Sequence, residues 1–517
     1  MIGLLLGVPA LLLLAFALIW WRLGGISGDM RLHRLAPDVW IYRGFFSNSA
    51  VFVLPRSVVV VDTQTTPEAG AQLRERIAEI TDKPVTHVIN THYHGDHVGG
   101  NAAFPEAVVI APALTARFVH ERDQERVEYC QTFGLTLQHV PSVRPPDQTF
   151  EGRLELNIDG ETLVLAQLGR VETPDAAVVV WPARRAVAAG DGVATDQYPW
   201  LGVPFLDEGL QDDGQWMGQL KAIRELRPRV LIPGHGAPLV GEGRIRRRLD
   251  LLLRLLSELM ETVRAEIQRG TPFSELVERV DAALAPYRRR RDLAERVVSQ
   301  RFAIYRAYNS IHPERRGRGW WEDLRPSVIR PASPRAGEPE TPEGAMRAFH
   351  EGRAEPGREL LRRYTEAHPG DARSWALRGY VELELAFGTR PIVDGTEWMR
   401  EADASIARAL ALAPAEPLGL LCRGAIDIWG ALVTSQSMAR PLAVLEQALL
   451  DSALGDQRVP RGEGLTRRQR QIGLLFLAKA HQAAGRDAEC AAAFRRLLPA
   501  VVRPLAPLLV PRMRSLP

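Results

Sequence analysis

Cysteine is scarce in this 517-residue chain: Cys130, Cys422 and Cys490 form an odd, scattered set. That excludes a disulfide framework and a Cys-type zinc site. Lysine is equally rare. Lys83, Lys221 and Lys479 are the only three, so arginine supplies nearly all of the 65 basic side chains. Against 62 acidic ones the formal net charge is only +3, which leaves no electrostatic footprint for nucleic acid. Hydrophobic residues at 46% and charged residues at 25% lie near globular averages, excluding a wholly disordered chain and a polytopic membrane protein. At roughly 150 residues per domain, the length allows two to four domains.

The exception to this composition is the N-terminus. Met1 to Trp21 carries no charged side chain, and about 20 apolar helical residues cross a hydrocarbon core of roughly 30 Å. No basic residue precedes the run and no clear small-residue cleavage site follows it. Residues 1–22 are therefore expected to be an uncleaved single-pass anchor in a lipid bilayer rather than a signal peptide. Trp20 and Trp21 suit the interfacial belt. Arg22, Arg31 and Arg34 follow the span, so positive-inside bias leans the soluble body toward the cytoplasm, with the periplasmic or extracellular side left open.

Beyond the anchor, short β runs and helical patterns alternate over residues 30–240. Val51–Val53 and Val58–Val61 read as strands, Pro67–Ile80 as a helix, and Val85–Ile89, Val108–Ile110, Thr162–Ala166, Ala177–Trp181 and Val230–Ile232 as further strands. The fold class is α+β with layered sheets. Residues 241–312 read as an arginine-rich helical extension, including helices over Arg244–Leu259, Phe273–Leu284 and Tyr287–Tyr308. Residues 313–343, with five prolines from Pro326 to Pro342, read as a linker. Residues 344–505 are all helix and faintly repetitive: Trp375 and Gly379 open one helix, Ala409 and Pro414 close the next, and Leu477, Gly485 and Phe494 mark a later unit. Their spacing resembles tetratricopeptide repeats, with a generic helical bundle as the other reading. Either form is a packing, self-association or protein-interaction module.

The most informative segment is Asn90-Thr91-His92-Tyr93-His94-Gly95-Asp96-His97-Val98-Gly99-Gly100-Asn101. A buried strand runs into a loop offering three imidazoles and a carboxylate within six positions, which core packing does not require. His92 and His94 can converge on one metal while Asp96 and His97 turn toward a second.

This motif and its flanks resemble the metallo-β-lactamase fold of metal-dependent hydrolases. Further landmarks follow in that family's order: Asp62 closing the strand Val58–Val61, Gly190-Asp191, and Pro233-Gly234-His235-Gly236. The resemblance implies an αββα sandwich with its metals at one edge. It implies that Asp191 bridges two metals, that His235 completes the second site, and that Asp62 supports the metal loop from behind. It also implies a water or hydroxide between two zinc ions as nucleophile, with Asp96 taking the proton.

One position departs from the common pattern. Glu172 stands before Thr173-Pro174-Asp175, where most relatives carry the third histidine of the first site. Glu172 as a ligand, with preference shifting toward manganese or iron, is one reading. A single metal held by Asp96, His97 and His235 is another, and a scaffold without catalysis, acting through its helices, is a third. A glutamate at this position, followed by a helical region, is similar to the alkyl sulfatases of this fold, although their bridging residue is glutamate and here it is Asp191. The expectation is thus a membrane-anchored metallohydrolase of ester or thioester electrophiles, with a sulfate ester hydrolase as the alternative.

Tyr93, Tyr198 and Trp200 are candidates for the pocket wall, and Phe205 lies on the same stretch. Arg170 and Arg184 could meet an anion but are expected to face water. The runs Arg246–Arg248 and Arg288–Arg291 read as solvated helix faces, with anionic lipid as the other reading.

Overall fold

The computed structural model describes residues 29–434 and position 444, except residue 45 and the stretches 123–141, 203–213, 296–297, 313, 315–317, 329–332 and 389–391. These residues form two sheets and a succession of helices. The first sheet has seven strands in chain order: β1 (Arg31–Ala36), β2 (Val39–Arg43), β3 (Asn48–Val53), β4 (Val58–Val61), β5 (Val85–Ile89), β6 (Val108–Pro112) and β7 (Gln148–Phe150). β1 to β4 meander antiparallel, whereas β4 to β7 run parallel. The second sheet comprises β8 (Arg153–Ile158), β9 (Glu161–Ala166), β10 (Val178–Trp181), β11 (Ala186–Ala188), β12 (Val230–Ile232) and β13 (Leu239–Val240), with β11 and β12 parallel.

Alternation along the strands decides the layers, because successive side chains of a strand point to opposite faces. On β2, β3 and β4, Val39, Ile41, Ala50, Phe52, Val59 and Val61 turn inward. There they meet Leu163, Leu165, Val179, Trp181, Ala188 and Ile232 of the second sheet in one buried cluster. The intervening Tyr42, Val51, Val58 and Val60 pack on the opposite face against Leu73 and Ile77 of helix α1 (Pro67–Ala78). Four consecutive valines therefore make a strand buried on both sides. Helices α2 (Gly95–Val98) and α3 (Ala113–Glu121) follow β5 and β6. Across the second sheet lie α4 (Gln215–Glu225) and α5 (Glu242–Gln268), the latter burying Ile245, Leu249, Leu252, Leu256 and Val263 along one stripe. The result is helix, sheet, sheet, helix.

Helices α6 (Phe273–Ala283), α7 (Ala285–Arg288), α8 (Gln300–Ile311) and α9 (Arg318–Val328) belong to the same compact unit as the sandwich. Two of them differ from expectation. The helix expected over Tyr287–Tyr308 begins only at Gln300, where Ser299 accepts a bond from Phe302 N–H and caps it. Within the proline-rich stretch, Arg318–Val328 is helical, with Pro326 in its last turn. Arg301 donates to the carbonyls of Ser327 and Val328 there, satisfying acceptors that a helix end leaves open.

A second compact unit contains α10 (Pro342–His350), α11 (Ala354–Ala367), most of α12 (Ala372–Gly388) and α13 (Ile392–Leu412), and α14 (Pro417–Thr434), with residues 387–395 grouped with the first unit. A side chain at Gly379 of α12 would collide with Ile406 of α13, so glycine sets how closely these helices approach. Buried Glu382 accepts from Arg358, Arg378 and Ser405, tying α11, α12 and α13 together. The unit around Leu477 lies outside the described residues.

The localisation expected from the sequence is corrected. No helix among the described residues is long and apolar enough to cross a membrane. Even α5, with 27 residues, interleaves its buried leucines with exposed arginines. The bilayer contact and the cytoplasmic lean have no spanning helix to stand on. Residues 1–22, from which both were read, lie outside the described residues.

Candidate metal centre

Seven side chains converge where strand ends of both sheets meet. β5 runs into His92 to His97, the connection between β9 and β10 carries Glu172, and β11 and β12 run out to Asp191 and His235, while Asp62, just past β4, stands behind them. Backbone bonds lock these ends together: Thr63 N–H to His97 O at 2.8 Å, Ala177 N–H to Thr91 O at 2.8 Å, and Gly234 N–H to Gly190 O at 2.8 Å. Asp62 adopts φ +62° and Gln64 φ +76°, left-handed backbone that non-glycine residues adopt mostly where the surroundings impose it. Gly234 is required at its position because any side chain there would strike the Asp191 carboxylate.

The donor atoms fall into two groups, His92, His94, Glu172 and Asp191 in one, Asp96, His97 and His235 in the other. In the first, His94 Nδ1 lies 3.3 Å from Glu172 Oε1 and His92 Nε2 lies 3.8 Å from Asp191 Oδ2. In the second, His235 Nε2 lies 3.2 Å and His97 Nε2 3.3 Å from Asp96 Oδ2. Asp191 faces both groups, since its oxygens also approach His235 Nε2 at 3.2 Å and His97 Nε2 at 3.5 Å. Asp191 and His235 keep 8% exposure while the other five keep 2% or less, so all seven donors are buried.

Neighbours settle which imidazole nitrogen is left free. His97 donates Nδ1–H to Asp62 Oδ2 at 2.8 Å, and Asp62 is itself held by the amide and hydroxyl of Thr91. His235 donates Nδ1–H to the Phe46 carbonyl at 3.0 Å. Each bond leaves Nε2 turned into the centre as a lone-pair donor. Among the described residues, Nε2 of His92, His97 and His235 and the carboxylate oxygens of Glu172 and Asp191 find no hydrogen-bond partner. Buried polar atoms are otherwise almost always satisfied, and a divalent cation in each group would satisfy them. The donor set, imidazole nitrogen with carboxylate oxygen, fits zinc and also manganese or iron.

The charges are arranged unequally. Burial and then the Asp191 carboxylate push Glu172 up to about 8. His92 lies well below the ordinary histidine range because it is buried and faces His97. Burial acts against charge at Asp96 and Asp191 too, but the neighbouring histidines outweigh it and hold both below the usual carboxylate range. Conversely the carboxylates overcome burial at His97, which lies well above the ordinary range, and at His235, which rises to about 10.

The aromatic candidates part company. The Tyr93 ring lies 5.0 Å from that of His94, and its hydroxyl accepts from Arg122 at 3.2 Å. The Trp200 ring lies 5.7 Å from that of His235. Tyr198 is buried with its charged neighbours, Glu295 and Asp281, in the helical extension. Arg184 pairs with Asp38 and covers Trp181, while Arg170 is exposed. Phe205 lies outside the described residues. Sequence reasoning missed Phe46, Ser47, which donates to Asp96 O at 2.6 Å, and Asn48, which donates to the Pro233 and Gly236 carbonyls at 3.0 and 2.9 Å. Ser-Asn-Ser at the entry to β3 carries no signal beyond an ordinary turn.

This fold and this edge define a metallo-β-lactamase domain, and residues 42–235 match the family model of the metallo-beta-lactamase superfamily. More particular likenesses extend past that domain. The chain is 22% identical over 272 residues to the linear primary-alkylsulfatase of Pseudomonas sp. (strain ATCC 19151), covering 46% of this chain and 51% of that protein. It is 24% identical over 285 residues to the alkyl/aryl-sulfatase BDS1 of Saccharomyces cerevisiae, covering 46% and 44% respectively. The chain thus spans about half the length of these curated relatives. The solved structure of the inverting sec-alkylsulfatase Pisa1 from Pseudomonas sp. superposes with a TM-score of 0.54 at 17% identity, covering 73% of this chain and 65% of that one. At that identity the likeness is one of fold, and it takes in more than the sandwich.

Proposed function

We propose that this chain is a metal-dependent hydrolase of sulfate esters bearing an apolar alcohol portion. The observation that carries the reading is Glu172, buried at the first donor group with His94 3.3 Å away, where most members of the superfamily place a histidine. The two sulfatase relatives support it over the broader ester or thioester hydrolase that the motif alone favours. His92, His94, Glu172 and Asp191 would hold one cation, and Asp96, His97 and His235 the other, with Asp191 shared. Cations there would supply Lewis-acid charge that makes water a nucleophile near neutral pH and offsets the negative charge of a sulfate group. Zinc is the first metal to test.

The chain's own residues divide the remaining work. Asp96, kept ionised by the imidazoles around it, would receive a proton on the carboxylate oxygen that does not hold the cation. Asp62 and the Phe46 carbonyl hold the rings of His97 and His235 in one orientation. Tyr93 and Trp200, with their rings near those of His94 and His235, are the aromatic candidates for meeting an alkyl chain. The balanced reaction is an alkyl sulfate and water giving an alcohol and hydrogen sulfate.

The test is sulfate release from dodecyl sulfate by the zinc-loaded protein, beside an acyl thioester. Turnover of the sulfate ester should disappear on chelation and fall roughly 10²- to 10⁴-fold in Asp96→Asn. Turnover of the thioester alone would restore the broader hydrolase reading. Bound metal with no turnover of either would sink both.

A further inference from the structure

The run Arg246–Arg248 on α5, read from the sequence as a solvated face, does not behave as one. Arg246 and Arg247 are exposed, but Arg248 keeps only 7% exposure. Its guanidinium donates three ways to main-chain carbonyls: Nε to Ala194 at 2.7 Å, Nη2 to Gln197 at 2.9 Å and Nη1 to Asp292 at 2.7 Å. From α8, Arg306, at 6% exposure, donates Nε to the Leu201 carbonyl at 3.2 Å. Between them the Tyr198 amide donates to Ala294 O at 3.0 Å. Three parts of the helical extension thus grip eight residues, 194–201, that leave the Asp191 turn.

The nearest carboxylate, Asp292 Oδ2, stands 4.0 Å from Nη1, and a guanidinium buried at that distance from its counter-charge is unfavourable unless its N–H groups are satisfied. Burial pulls Arg248 down to about 10, so it stays charged at neutral pH. Five N–H donors in a rigid planar fork suit an arginine for holding several carbonyls at once. The gripped segment is also tied to the turn that carries His235: Thr195 Oγ1 donates to Ala237 O at 2.7 Å, and Asp196 Oδ1 accepts from Ala237 N–H at 3.2 Å. At its far end stands Trp200, facing the His235 ring.

We infer that Arg248 and Arg306 are positioning residues, through which the helical extension holds segment 194–201 and thereby sets Trp200 against His235 beside the metal centre. The extension is then part of the centre. This rests on the centre binding divalent metal.

The test uses the full chain loaded with cobalt(II), which quenches nearby tryptophan emission. The Trp200 share of that quenching is the difference between the wild-type chain and Trp200→Phe. Arg248→Met is expected to bind cobalt at wild-type stoichiometry while losing most of the Trp200 share, and Arg248→Lys to recover part of it. An unchanged Trp200 share in Arg248→Met, whether or not its thermal midpoint falls, would overturn the inference, because the arginine would then only support the fold. Should Arg248→Met fail to fold, Arg306→Met carries the same readout. A wild-type chain that binds no cobalt would remove the metal reading and this inference together. Binding with the Trp200 share intact in both variants would remove this inference alone.

Discussion

The two donor groups lie side by side and share Asp191, yet they are charged in opposite ways. Around His92, His94 and Glu172, burial favours neutral forms: the histidine is pushed down and the glutamate up to about 8. Around Asp96, His97 and His235 the ionised forms sustain one another, with carboxylates held low and imidazoles high. The difference follows from the neighbours. His97 and His235 face the carboxylates of Asp96 and Asp191, whereas Glu172 has 0% exposure and an anionic neighbour in Asp191. A cation held by His92, His94 and Glu172 would supply a positive charge that group lacks, and one held by Asp96, His97 and His235 would compete with protons there.

The comparison can be broken at Glu172. Glu172→Ala should lower bound zinc from two ions per chain to one, measured by elemental analysis, with Glu172→His restoring the second. Loss of both ions in Glu172→Ala would show that the groups are not separable. On the other side, Asp62→Asn keeps the shape but weakens the acceptor behind His97. Its zinc affinity at the second group should fall roughly 10- to 100-fold with the first unchanged, read by competition with a chelating dye.

A smaller effect concerns pH. Glu172 and His235 have folded values, about 8 and about 10, raised above their ordinary 4.5 and 6.5. Each therefore adds stability that is fully present below its ordinary value and lost as pH rises through its folded value. The chelated protein should lose thermal stability between about pH 5 and pH 10. Because protons compete for the same atoms, the gain in thermal midpoint on adding zinc should be larger at pH 9 than at pH 6; scanning calorimetry at those two values decides it. The smallest effect serves as a control away from both groups. Thr66 caps α1 by accepting from Ala69 N–H, so Thr66→Ala should cost about 1 kcal/mol of stability in denaturant titration and leave zinc content unchanged.

What the amino-acid sequence determined by itself is local. The unbroken apolar runs through β2 to β4 mark strands buried on both faces, though not which face meets the second sheet. Thr66-Pro67 marks the start of α1, and His92 to His97 arrive as one cluster because a single loop carries all four donors. Glu172, Asp191 and His235 were legible only through their order after that cluster and the family it resembles. The tertiary structure alone decided that Phe46, 189 positions from His235, supplies the acceptor for its ring. It also decided that Tyr198 turns toward the helical extension, and that one arginine of a basic run is buried while its two neighbours face water. Each of these depends on which distant strand end or helix lies opposite. A backbone carbonyl looks the same at every residue, and an arginine's letter does not say whether water or main chain will satisfy it.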